Sequence, residues 1–137
     1  IRQAGGKVWL NPAIRSVYFA RPTVGALSRQ YWRYGFWKWQ MLRRYPETLR
    51  WRQALPPIFV LSLLGMLMFS FFSGLFFNLL LLELFVYFSV LILVASRKKQ
   101  AYLLVGLPLA IATMHISWGS GLIWSMVSSI FRIQNNG

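Results

Sequence analysis

At 137 residues the chain could form one ordinary domain, but its composition excludes a soluble one: 57% is hydrophobic and only 12% charged, against about a quarter charged in typical globular domains. Fifteen Lys and Arg face two acids, Glu47 and Glu83, giving a formal charge of +13. The partners this implies are anionic: lipid head groups, phosphate-bearing substrates or nucleic acid. Cys is absent, which excludes a disulfide framework and a thiolate metal site.

In chain order, Ile1 to Ala4 reads as the end of a helix, with Gly5-Gly6 as its stop, because Gly tolerates the left-handed conformation there. Lys7 to Leu10 and Ile14 to Phe19 are short β-prone runs separated by the turn signal Asn11-Pro12. Two short strands do not fold alone, so residues 1–20 are expected to finish a sheet begun upstream. Arg21-Pro22 closes that piece, and no Pro interrupts Val24 to Arg44, which predicts one helix ended by Tyr45-Pro46. At 100° per residue Arg29, Arg33, Arg43 and Arg44 share an arc, with Tyr31, Tyr34 and Lys38 opposite. A basic helix also carrying Trp32, Phe36, Trp37 and Trp39 suits the membrane–water interface.

Eleven of the 15 basic residues fall within residues 1–52, and between Arg52 and Arg97 the one charge is Glu83. About 20 apolar residues cross a bilayer, so this stretch predicts two spans, 58–77 and 79–95, broken at Ser73 to Asn78. Pro56-Pro57 precedes the first, where a missing N–H is harmless. A third span is expected over about 102–124. It falls in an apolar stretch from Ala101 to Phe131, of which Tyr102 to Trp118 is long enough to cross and the remainder, Gly119 to Phe131, either continues the helix, re-enters, or lies at the interface. The basic N-terminal region and Arg97-Lys98-Lys99 flank an even number of spans, which places both in the cytoplasm.

The segment Arg29-Gln30-Tyr31-Trp32-Arg33-Tyr34 concentrates the candidate chemistry. Gln30 and Arg33 are three apart, so a helix sets an amide beside a guanidinium, and Tyr34 adds a ring. Arg gives bidentate contacts to phosphate. The residues alone fit two readings, a cradle for a diphosphate or sugar and an interfacial helix touching lipid phosphates.

Gln30-Tyr31-Trp32-Arg33-Tyr34 resembles the QxxRW motif of membrane-bound family 2 glycosyltransferases, with Tyr34 in place of the final Trp. The order "IRQAGGKVWLNPAIRSVYFARPT", "RQYWRYGFWKWQMLRRYP", "RWRQALPPIFVLSLL" is similar to the C-terminal part of bacterial exopolysaccharide enzymes of the succinoglycan-biosynthesis group. The resemblance covers roughly residues 1–60. It implies a mainly α, integral membrane fold: the last strands of a truncated GT-A α/β domain (1–20), a basic aromatic interfacial segment (21–55) and a transmembrane region (56–134). It also implies a multi-pass protein of the bacterial cytoplasmic membrane. Such an enzyme passes a sugar from a nucleotide-sugar donor to a lipid-linked or polysaccharide acceptor. Arg29, Gln30, Arg33 and Tyr34 would bind substrate. The departure at Tyr34 puts processive polymerisation in doubt.

The family uses a divalent metal, Mg or Mn, held by an Asp-x-Asp pair, and a carboxylate base. This chain has no Asp, so those ligands are expected outside it, and the fragment alone should be inactive. Glu47 is expected to pair with Arg43, Arg44 or Arg50. Glu83, an intramembrane acid, is read as reaching the interface from near a helix end. The lone His115 is read as packing or bonding to a neighbouring helix, and Gly106, Gly119 and Gly121 as allowing close helix approach or a bend. The alternative function is a non-enzymatic membrane anchor or assembly subunit binding anionic lipid. Nucleic acid is not expected as a partner, since it leaves the spans unexplained.

Overall fold

A computed structural model of the chain describes residues 5–7, 9, 11, 13–15, 17, 21–98 and 100–134. The expected strands and the opening helix end fall wholly or partly outside them. Lys7, Trp9, Ile14, Arg15 and Val17, which are described, are in no strand. Gly5 has φ 74°, the left-handed conformation expected of it.

Four helices form the body: α1 (Val24–Arg44), α2 (Leu55–Ser70), α3 (Gly74–Ser96) and α4 (Leu103–Gln134). The α1 bounds match the expected ones, and their causes are local. Thr23 Oγ1 accepts from the Ala26 N–H at 3.2 Å, satisfying one orphan donor of the first turn. At the other end the Tyr45 N–H still reaches Met41 O at 2.9 Å, and Pro46 then allows no further turn. Arg43 and Arg44 stand in the last turn, where cations complement the helix dipole. Two short 3-10 turns, Pro46–Thr48 and Trp51–Gln53, lead into α2.

The first two spans differ from expectation in where they divide. The break is Phe71 to Ser73, and Phe77, expected in the first span, lies in α3 together with Asn78. Ser73 decides this, because its Oγ accepts from the Leu75 N–H at 3.3 Å and so starts a helix at Gly74. No breaker follows it until Arg97. The third apolar segment is one continuous helix of 32 residues, so Gly119 to Phe131 is a continuation. At 1.5 Å per residue it is about 48 Å long. Three helical segments are long and apolar enough to cross a membrane, Trp51–Ser70, Gly74–Ser96 and Leu103–Phe131. The outward faces of α2, α3 and the first half of α4 are apolar, with Leu61, Leu75, Phe85 and Val105 exposed, as lipid-facing helices require.

The tightest packing is between α1 and the second half of α4. A Cβ at Gly35 would overlap the carbonyl oxygen of Trp118, and one at Gly121 would overlap the carbonyl oxygen of Trp32. Along this seam α1 presents Ser28, Trp32, Gly35 and Trp39. Facing them, α4 presents Ser117, Gly121, Ser125 and Ser129, one small residue every fourth position. Small residues at this spacing let helix backbones meet. Ser28 Oγ lies 2.9 Å from Ser117 Oγ; farther on, Gln40 Nε2 donates to Ser125 Oγ at 3.0 Å and Trp39 Nε1 to Ser129 Oγ at 3.1 Å. Pairing advances together along both helices, so they run parallel. The expected interfacial helix is therefore docked lengthwise on α4. Gly119 plays the same part toward α2, where a Cβ would stand 2.6 Å from Pro56 O.

Overfilling a close contact costs about 1–3 kcal/mol when side chains can yield, and here the opposing atoms are backbone. Gly35→Ala and Gly121→Ala are each expected to detach α1 from α4. Because the chain has no Cys, a Ser28→Cys/Ser117→Cys pair reports this cleanly: it should form a disulfide in the parent background and lose most of it with either Ala substitution.

Candidate functional site

The first turns of α1 and Arg21, two residues before its cap, border a cleft of about 420 Å³ lined by Arg21, Ala26, Arg29, Gln30, Arg33 and Tyr34. All four residues expected to bind substrate, Arg29, Gln30, Arg33 and Tyr34, therefore share one wall. Helical spacing sets Arg29, Gln30 and Arg33 within about 100° of one another, whereas Tyr34, expected opposite the Arg arc, is brought to the edge of the same wall through Gln30. This face is turned away from the α4 seam, which leaves Arg29 and Arg33 exposed.

A short hydrogen-bonded chain orders the cleft. Arg21 Nε donates to Gln30 Oε1 at 2.8 Å, and Gln30 Nε2 donates to Tyr34 Oη at 2.7 Å. The Gln30 amide is thus held through both its oxygen and its nitrogen, and the Tyr34 hydroxyl, accepting from it, keeps its own hydrogen to donate. The Tyr34 ring meets Tyr31 edge-on, with centroids 5.6 Å apart. Arg21 is the member that helical periodicity missed. It lies two residues before the Thr23 cap, so no helical pattern includes it, and the turn through Pro22 folds it back over the first turns. Three guanidiniums and no carboxylate surround the cleft. Their mutual repulsion, with the positive end of the α1 dipole beneath them, favours a multiply charged anion. Arg forks and the Gln30 amide suit phosphate oxygens.

The remaining chemistry-bearing residues lie apart from this cleft. Among the described residues no group of three or more His, Cys, Asp or Glu could hold a metal. The ion pair expected of Glu47 with Arg43, Arg44 or Arg50 does not form among the described residues. Glu83 is not near a helix end: with the break moved to 71–73 it is the tenth residue of the 23-residue α3. Its Oε1 accepts from Ser62 Oγ of α2 at 2.5 Å. One turn on, Tyr87 Oη lies 3.0 Å from His115 Nδ1 of α4, and its ring stacks on Phe59 at 4.4 Å. His115 thus bonds to a neighbouring helix, the structural role read for it.

Comparison of the chain with protein-family models, curated proteins and solved structures gives no match.

The cleft makes a direct prediction for Tyr34. Tyr34→Phe keeps the ring but removes the acceptor of the Gln30 amide and the outward hydroxyl, worth about 1 kcal/mol. Affinity for pyrophosphate, titrated by calorimetry in detergent, is expected to fall several-fold with helix content unchanged. Equal affinities would show that the hydrogen-bonded chain does not shape the cleft.

Proposed function

We propose that this chain is the C-terminal membrane module of a bacterial family 2 glycosyltransferase of the exopolysaccharide or succinoglycan-biosynthesis type. The parent enzyme passes a sugar from a nucleotide-sugar to a lipid-linked or polysaccharide acceptor at the cytoplasmic face of the inner membrane. The observation that carries this reading is the cleft: the motif residues Gln30, Arg33 and Tyr34 stand together with Arg21 and Arg29 around a space of about 420 Å³. In addition, the helix that bears them is docked on an apolar helix long enough to cross a bilayer. The distribution of basic residues supports a cytoplasmic N-terminal region.

In this role Arg29 and Arg33 grip the diphosphate and offset the negative charge that grows on it as the glycosyl bond breaks. Arg21 fixes Gln30 so that its amide, with the Tyr34 hydroxyl, orients the ligand's hydroxyls or phosphate oxygens. The donors here are cationic or neutral, so they fit a phosphate and not a divalent metal. The Mg or Mn of the family and the base carboxylate would belong to residues outside this chain. A second reading, a non-enzymatic anchor or assembly subunit binding anionic lipid, draws on the exposed Trp37, Tyr45 and Trp51 around the basic end of α1.

Arg33→Ala in the full-length protein separates the two. Transfer of labelled sugar from a nucleotide-sugar to membrane lipid extract is expected to fall about a hundredfold, while resistance to alkaline extraction from membranes stays the same. Unchanged transfer would remove Arg33 from the site. An upstream coding sequence without an acidic metal-binding pair would sink the glycosyltransferase reading altogether.

A further inference from the structure

Two neighbouring depressions follow the α1–α4 seam, meet at Trp124 and share no residue with the Arg21–Tyr34 cleft; they are taken together as one groove. Its apolar part, about 230 Å³, lies between Val60 and Leu64 of α2 and Ile123 and Val127 of α4. Its polar part, about 170 Å³, is bounded by Gln40 and Arg43 of α1 and Ser128 of α4. Trp124 lines both parts, so one indole joins them. Gln40 is committed through its amide to Ser125. The Arg43 guanidinium and the Ser128 hydroxyl have no partner among the described residues, and both residues line the same small space. Neither acid of the chain relieves Arg43. Glu83 is bonded to Ser62 on the far side of α2, and Glu47 forms no ion pair among the described residues.

A cation with free donors at one end and a dry apolar trough at the other is complementary to an anionic head on a hydrocarbon chain. The trough lies between helices long and apolar enough to span a bilayer, so acyl chains are its ordinary surroundings. Free phosphate would satisfy Arg43 and leave the trough unfilled. A zwitterionic or neutral lipid would fill the trough and leave the guanidinium without net counter-charge. We propose that this groove binds one anionic phospholipid, its phosphate on Arg43 and Ser128 and one acyl chain over Trp124 toward Val60 and Leu64. The site stands whether or not the chain belongs to a glycosyltransferase.

The test uses the full chain in nanodiscs of phosphatidylcholine with a minority of phosphatidylglycerol, transferred to mild detergent for native mass spectrometry. One phosphatidylglycerol per chain should be retained, enriched about tenfold over its share of the mixture, as expected for a charge-assisted Arg–phosphate contact. Arg43→Gln should abolish the enrichment. Arg44→Gln should leave it, since Arg44 lines a different cleft with Trp37 and Tyr45. Leu64→Trp, which fills the trough, should lower retention with Arg43 intact, and millimolar inorganic phosphate should not displace the lipid. Equal retention of the two lipids, equal losses in the two Arg variants, or displacement by inorganic phosphate would each overturn the proposal.

Discussion

The contact on which the structure depends is between two backbones. Gly35 of α1 lies on the Trp118 carbonyl of α4, and Gly121 of α4 lies on the Trp32 carbonyl of α1. With Arg29, Arg33, Lys38, Arg43 and Arg44 spread over it, α1 cannot be buried on all sides in a membrane bundle, so one narrow stripe of its surface must hold it. Close approach supplies what burial of side chains cannot, because at this separation backbone dispersion contacts and short polar links both become available. Ser28, Gln40 and Trp39 each find a hydroxyl across the seam. The position of the basic cleft relative to the spanning helices follows from this one seam.

The apolar helices are tied by a different device. Where lipid surrounds the helices, hydrophobic burial does not distinguish a neighbouring helix from a lipid tail, and polar links between spans matter more. Two such links sit one turn apart on α3. Glu83 reaches Ser62 of α2, and Tyr87 reaches His115 of α4. Together they fix α3 between the other two, with Phe59 stacked on Tyr87 to close the layer. A chain with two acids and one His places one of each within the membrane-spanning helices, so these residues hold the bundle together and are not spent on the basic cleft.

Much of this was legible in the sequence, wherever the signal was local. The bounds of α1 follow from the flanking Pro22 and Pro46, and the spans from the long interval between Arg52 and Arg97 with Glu83 as its single charge. The grouping of Arg29, Gln30 and Arg33 follows from helical spacing, but that spacing sets Tyr34 opposite the Arg arc, and only its hydrogen bond with Gln30 shows it in the cleft. What escaped depended on contacts between distant residues. Gly35 resembles any glycine in a helix until Trp118 is placed against it. Ser117, Ser125 and Ser129 resemble the polar tail of a span, and their fourfold spacing with Gly121 acquires meaning only once α1 lies along it. Arg21 precedes the helix it serves, and the division between α2 and α3 turned on one hydrogen bond from Ser73. The β-prone runs of residues 7–19 and the expected catalytic metal belong to parts of the problem that these four helices do not reach.

The uninterrupted length of α4 has a mechanical side. A helix of about 48 Å exceeds the roughly 30 Å hydrocarbon thickness of a bilayer and must tilt or project. Because α1 is fused along its second half without a hinge, any tilt of α4 swings the cleft with it as one rigid arm. Bilayer thickness thereby acts on the orientation of Arg29 and Arg33 toward whatever approaches them from the aqueous side, through leverage and with no change in the cleft itself.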